Sequence, residues 1–118
     1  MEADDEVRWK VKPTMALGMS PAKRTVDDVA RALDPAVIGV ELLPLAVHRD
    51  PAVREAVASR TDCPLGALLA LGHDRSPEVL AALIRNARAP ETLIRQLAEH
   101  KRQEIRDAAL MRLKTTFR

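Results

Sequence analysis

The 118-residue chain is poor in several side chains on which common chemistries depend. It has no tyrosine, one tryptophan (Trp9) and one phenylalanine (Phe117), so its core must be built from Leu, Val, Ile and Ala, which suit closely packed helices. A single cysteine, Cys63, excludes an internal disulfide and any cysteine-rich metal or iron–sulfur site. Four glycines against eight prolines fit short helices with stiff entries better than a sheet with tight hairpins. No apolar run approaches the roughly 18 residues of a membrane span, so no membrane partner is expected. The opening Met-Glu-Ala-Asp-Asp-Glu has neither the basic nor the apolar region of a secretory leader, which makes cytoplasmic placement the expectation. No sign of charge dominates: the formal net charge is +2, too small by itself to argue for nucleic acid. Its distribution says more. Residues 1–44 carry 6 basic and 8 acidic side chains, and residues 45–118 carry 13 and 9. From Arg85 onward nine basic groups face four acidic ones, a pointer to an anionic partner.

What the chain does have is a repeat. Leu45-Ala46-Val47-His48-Arg49-Asp50-Pro51-Ala52-Val53 returns 26 residues later as Leu71-Gly72-His73-Asp74-Arg75-Ser76-Pro77-Glu78-Val79. It returns more loosely as Leu97-Ala98-Glu99-His100-Lys101-Arg102-Gln103-Glu104-Ile105. A fixed period of this size is the signature of stacked units sharing one core. Asp50-Pro51 and Ser76-Pro77 each pair a capping side chain with a proline at a helix start. The helices that follow are expected to bury Val53/Ala56/Val57, Val79/Ala82/Leu83 and Ile105/Ala108/Ala109. A second helix per unit should start at Pro64 and Pro90 and end on Leu71 and Leu97. Each unit is then two short antiparallel helices that bury their apolar faces only by stacking.

Upstream, Val26, Val29, Ala30 and Leu33 form one helical stripe over residues 25–33, with Thr25 as cap and Asp27 and Asp28 at the positive end of the dipole. Asp34-Pro35 should start a further helix, with Val37, Val40, Leu43 and Leu42 facing inward. Pro35 precedes Leu45 by ten residues where Pro64 precedes Leu71 by seven, so the first unit is expected to have the longer helix. Residues 1–24 read as an arm or linker and residues 25–118 as the helical repeat domain. Met15, Leu17 and Met19 alternate with small or polar residues; they could lie in a groove on the domain or be presented to a partner. A compact bundle of five or six helices is the competing architecture.

The pattern resembles the leucine-rich repeat variant family, a branch of the HEAT-like helical solenoids. The likeness rests on Leu45-Ala46, Arg49-Asp50-Pro51, Val53-Arg54, Ala56-Val57, Arg60, Pro64, Leu68 and Leu71, with their counterparts 26 positions on. The third copy departs from it, with Arg102-Gln103 where Asp/Ser-Pro stood. The resemblance implies an all-α, short right-handed α-solenoid of two-helix repeats that binds through a helical face. Relatives among such solenoids bind proteins most often and some bind DNA, including a glycosylase class. One member type carries an N-terminal iron–sulfur cluster, for which this chain, with Cys63 alone, lacks the cysteines.

The candidate surface follows from the register. Arg49, Arg75 and Lys101 occupy one repeat position in the turn entering α-helices, where backbone N–H groups also favour anions. Arg54 and Arg106, and Arg60 and Arg112, repeat at two more positions. The expected partner-binding set is Arg49, Arg54, Arg75, Lys101, Arg102 and Arg106, with Trp9 as an aromatic anchor. The competing reading is that these arginines pair with Asp50, Asp74, Glu78 and Glu104. His48 and His100 share a position two units apart and cannot ligate one metal ion, and His73 lacks further ligands at helical spacing. Cys63 lacks oxyanion donors and an orienting third group. No catalytic, metal or cofactor site and no small-molecule substrate is expected. The function expected is a non-catalytic interaction module for a protein partner, with nucleic-acid backbone binding through the same row as the alternative.

Overall fold

The computed structural model describes residues 21–117, and Trp9 and the rest of the arm up to residue 20 lie outside them. The described residues form α1 (Pro21–Leu33), a 3-10 turn (Gly39–Leu42) running into α2 (Leu43–Ala46), α3 (Pro51–Ala58), α4 (Leu65–Leu71), α5 (Pro77–Arg85), α6 (Glu91–Leu97) and α7 (Gln103–Thr116), with no strand among them. Helices α3, α5 and α7 begin 26 residues apart, and so do α4 and α6. One layer stacks α1 on α3, α3 on α5 and α5 on α7; α2, α4 and α6 form the other.

The starts obey local chemistry. Asp50 is extended and its side chain accepts from the Ala52 N–H at 2.8 Å, while Pro51 supplies a fixed φ and no orphan donor. Ser76 is extended in the same way but does not cap α5; its hydroxyl donates to Glu78 Oε1 at 2.8 Å. Pro64 and Pro90 sit at the N-cap positions of α4 and α6.

Valine, leucine and isoleucine from both layers fill the core. Val53, Val57, Val79, Leu80 and Leu83 come from one side, and Leu68, Leu93, Ile94 and Leu97 from the other. The alanine column holds at Ala56 and Ala82, which are buried, and fails at Ala108, which is exposed. Ala56 has a stacked helix on either side, whereas Ala108 borders grooves shared with α5 alone.

The N-terminal region departs from expectation in three ways. Helix α1 starts four residues early, at Pro21, so Thr25 lies inside it and Asp27 and Asp28 are not first-turn acids. Of the expected Val26/Val29/Ala30/Leu33 stripe only Val29 packs, half-buried, against the core; Ala30 is exposed, Val26 is 67% and Leu33 56% exposed, and Ala32 is the residue buried against the next unit. The buried positions 53 and 57 of α3 correspond to Asp27 and Arg31, both exposed. A polar pair where later units place Val, Leu, Ile or Ala marks α1 as the capping helix of the described stack. Finally, Asp34–Pro35 starts no helix. The Asp34 carboxylate accepts from the Ala36 N–H at 2.9 Å in a local turn, and Gly39 takes a positive φ of 59°. The three extra residues are thus absorbed by a loop and a 3-10 turn; Leu42 is buried, while Val40 and Leu43 are exposed.

Candidate interaction surface

Each unit enters its first-layer helix through a turn whose order depends on one residue. At positions 48, 74 and 100 the side chain accepts the backbone N–H two residues on. His48 Nδ1 takes the Asp50 N–H at 3.0 Å, Asp74 Oδ1 the Ser76 N–H at 2.9 Å and His100 Nδ1 the Arg102 N–H at 3.0 Å. Imidazole and carboxylate are interchangeable here because the turn needs an acceptor at that reach. With Nδ1 accepting, the His48 proton sits on Nε2, which lies 2.9 Å from Asp28 Oδ2 in α1.

The same residue ties the turn to the preceding unit. Asp28–His48 and Arg54–Asp74 are equivalent pairs, each spanning 20 residues, with the acid and its partner exchanged. Arg54 grips Asp74 through Nε at 2.7 Å and Nη2 at 3.2 Å, and donates Nη1 to the His48 carbonyl at 2.7 Å. Asp74 is almost wholly enclosed, its side chain 8% exposed. Arg106 Nη1 likewise donates to the His100 and Lys101 carbonyls at 3.1 and 2.9 Å. Arg54, grouped with the surface cations from the sequence, therefore spends its guanidinium donors on its own turn and the next one, and Arg106 directs Nη1 to its own turn.

A second column fastens the opposite ends of the helices. Arg60 Nη1 donates to the carbonyls of Ala32 and Asp34, Asn86 Nδ2 to those of Ala58 and Arg60, and Arg112 Nη1 to those of Ile84 and Asn86. In every case the acceptors lie 28 and 26 residues back, at the C-terminal end of the previous unit's helix, where carbonyls lack helical partners. Asp62 holds Arg60 through two oxygens, which keeps the Asp62 carboxyl below its ordinary range and raises the Arg60 guanidinium. Phe117 packs under Arg112, whose guanidinium carbon is 5.4 Å from the ring centroid. Asn86 was not singled out by the sequence because an amide there replaces arginine. The usable signal was functional equivalence: a side-chain donor at positions 60, 86 and 112, one period apart.

What remains is the outer row. Arg49, Arg75 and Lys101 are exposed, each next to its turn acceptor, and none makes a side-chain hydrogen bond or ion pair with the described residues. Of the four candidate counter-ions, Asp50 is engaged on Ala52, Asp74 on Arg54 and Ser76, and Glu78 on Ser76, while Glu104 lies in the groove lined by Arg102. Arg49 and Arg75 line one shallow cleft of about 410 Å³. Arg102 is exposed beside Glu78 and Glu104 in a separate groove, and helps the Ser76 hydroxyl hold the Glu78 carboxyl below its ordinary range.

Other chemistry finds little purchase. No cluster of three or more His, Cys, Asp or Glu among the described residues is arranged to hold a metal ion. Cys63 is buried, and burial pushes its thiol up to about 11, leaving scarcely any thiolate near neutrality. No described helix is long and apolar enough to cross a membrane.

Comparison with known proteins agrees with this geometry. No curated protein and no solved structure matches the chain. Residues 51–76, one full period from the start of α3 to the residue before α5, match the family model described as leucine rich repeat variant. That family is a helical repeat module usually engaged in protein interaction. With that match, the all-helical two-layer stack is a helical repeat fold consistent with the leucine rich repeat variant, HEAT-like kind.

Proposed function

We propose that the repeat stack is a non-catalytic interaction module that binds an acidic protein surface through Arg49, Arg75 and Lys101, with Arg102 at its edge. One observation carries the reading: three cations of one repeat position are exposed without counter-ions, while neighbouring carboxylates serve the turns. Uncompensated charge of one sign steers and selects a partner of the other. Arg54 and Arg106 support the surface by holding the turns. Trp9 belongs to this reading as an aromatic anchor in the arm, where it would add buried contact area to an otherwise aliphatic and cationic surface.

The test is capture from lysate with identification by mass spectrometry, comparing the wild-type chain with Arg49→Glu/Arg75→Glu/Lys101→Glu. The triple variant should keep its helicity and melting temperature, since exposed turn positions contribute little to stability, and lose the wild-type partner. Retention of that partner would remove the row from the binding surface. Trp9→Ala should weaken the same capture if the arm contributes. The alternative partner, a nucleic-acid backbone, has its own assay. Three neutralised phosphates give a log–log salt slope of about −3 on duplex DNA, and an absent or flat response excludes it.

A further inference from the structure

The junction between α2 and α4 is open where the next junction is filled. Between α4 and α6, Leu93 is fully buried against Gly72; a Cβ at Gly72 would stand 2.5 Å from Leu93 Cδ1. One period earlier the corresponding pair is Ala67 and Ala46. Ala67 lacks the leucine's branched end, and an apolar groove of about 630 Å³ runs there, walled by Leu43, Ala46, Ala67, Ala70 and Leu71. Leu43, Val47, Leu65 and Leu69 around α2 and α4 remain exposed. At the turn end the groove reaches Val47 and His73.

We propose that this groove is the docking site of the chain's own residues 13–20, with Leu17 and Met15 occupying the space that Leu93 fills one unit on and Met19 at its mouth. The argument is one of reach and pattern. Asp28 bonds His48, the neighbour of groove residue Val47, so α1 passes the turn end of the groove. From Asp28 back to Pro21 the helix overhangs that end by about 10 Å at 1.5 Å per residue. Eight extended residues span about 26 Å. That covers the return and about 10 Å along α4. In an extended segment Met15, Leu17 and Met19 project to the same side, so one line of aliphatic side chains meets one apolar slot. Tethering places the segment at an effective concentration of order millimolar, ahead of a free partner of the same chemistry. This docking does not depend on the basic row binding anything.

The experiment uses the full chain with Cys63→Ala, alanine being the residue at the equivalent position 89. Leu17→Cys is combined with Ala70→Cys in the groove or, as control, with exposed Ala87→Cys beside α5 and α7. Intramolecular disulfide formation should be at least tenfold faster at 70 than at 87. The gap should close when the slot is filled by Ala46→Gly/Ala67→Leu, which copies the Gly72/Leu93 pair, with far-UV circular dichroism checking the fold. Met15→Ser/Met19→Ser, which leaves the domain untouched, should narrow it as well. Equal rates at 70 and 87, a gap that survives both filling and arm variants, or chiefly intermolecular cross-links would each overturn the proposal, the last by assigning the groove to a second copy.

Discussion

Asn86→Ala is the sharpest test of the packing argument. Asn86 is the one buried polar residue among the described residues, and its side chain makes three hydrogen bonds at a unit junction. Its Nδ2 donates to the Ala58 and Arg60 carbonyls at 2.7 and 2.9 Å, and its Oδ1 accepts from the Arg88 N–H at 2.8 Å. Truncation leaves two carbonyls and an amide without their partner. At about 1 kcal/mol for each bond, with water entering the vacated space to offset part of the desolvation penalty, the loss is about 3 kcal/mol. For a domain of this size that lowers the melting temperature by more than about 12 °C. Asn86→Arg discriminates, because Arg60 and Arg112 do the same job from the equivalent positions; it should recover at least about 1 kcal/mol of the loss. Urea unfolding followed by circular dichroism at 222 nm reads both. An Asn86→Ala variant within about 0.5 kcal/mol of wild type, below the worth of one hydrogen bond, would refute the idea that this column fastens the units.

Three further substitutions probe the same framework. Gly72→Ala puts a methyl 2.5 Å from Leu93 Cδ1 and 3.1 Å from the Leu69 carbonyl; with Leu93 fully buried, overpacking should cost about 1–3 kcal/mol in urea midpoints despite the gain in helix propensity. Arg54→Ala strands the enclosed Asp74 carboxylate and should cost about 3 kcal/mol. Arg54→Leu/Asp74→His recreates the Leu80/His100 combination of the next unit and should return most of it, and a double variant no better than Arg54→Ala would break the equivalence. Cys63 supplies a pH test. The folded thiol keeps its proton up to about 11, above its unfolded value, so its stabilisation is full below about pH 9 and fades as pH rises towards 11. The loss approaches roughly 3 kcal/mol. Unfolding midpoints at pH 8 and 10.5 should therefore converge in Cys63→Ala.

The period of 26 was legible because it is carried by prolines and apolar columns, features that report local starts and the shared core. The same logic misplaced α1. Val26, Val29, Ala30 and Leu33 form a real helical stripe, but only Val29 packs against the core: an end helix has one stacked neighbour, so periodicity could not say which of its faces that neighbour covers. Proline spacing also implied a longer first helix. It could not register that Gly39 would take a positive φ and that Asp34 would close a turn on Ala36. At the candidate site the cations of the row were readable as a column, and their sorting was not. Arg54 and Arg49 are chemically identical in sequence, and only their distances from carbonyls and carboxylates separate them.

That sorting follows from what a repeat junction must satisfy. Each turn brings a carbonyl, a backbone N–H and an enclosed acceptor to the seam between two units, and each helix end brings two more carbonyls. Donors have to be supplied from within reach, or the seam holds unpaired polar groups at about 1–3 kcal/mol each. Position 54 or 106 lies six residues from the turn carbonyl, as the fourth residue of its helix, and points back at it. Positions 60 and 86 follow their helices, position 112 lies inside the longer α7, and all three meet the previous unit's last carbonyls. Positions 49, 75 and 101 directly follow the residue that closes the turn, with its polar needs already met, so a cation there makes no bond within the stack. Part of the basic excess of residues 45–118 is therefore mortar between units. The part that is not consumed forms a column by necessity, because the repeat that creates one such position creates it in every unit.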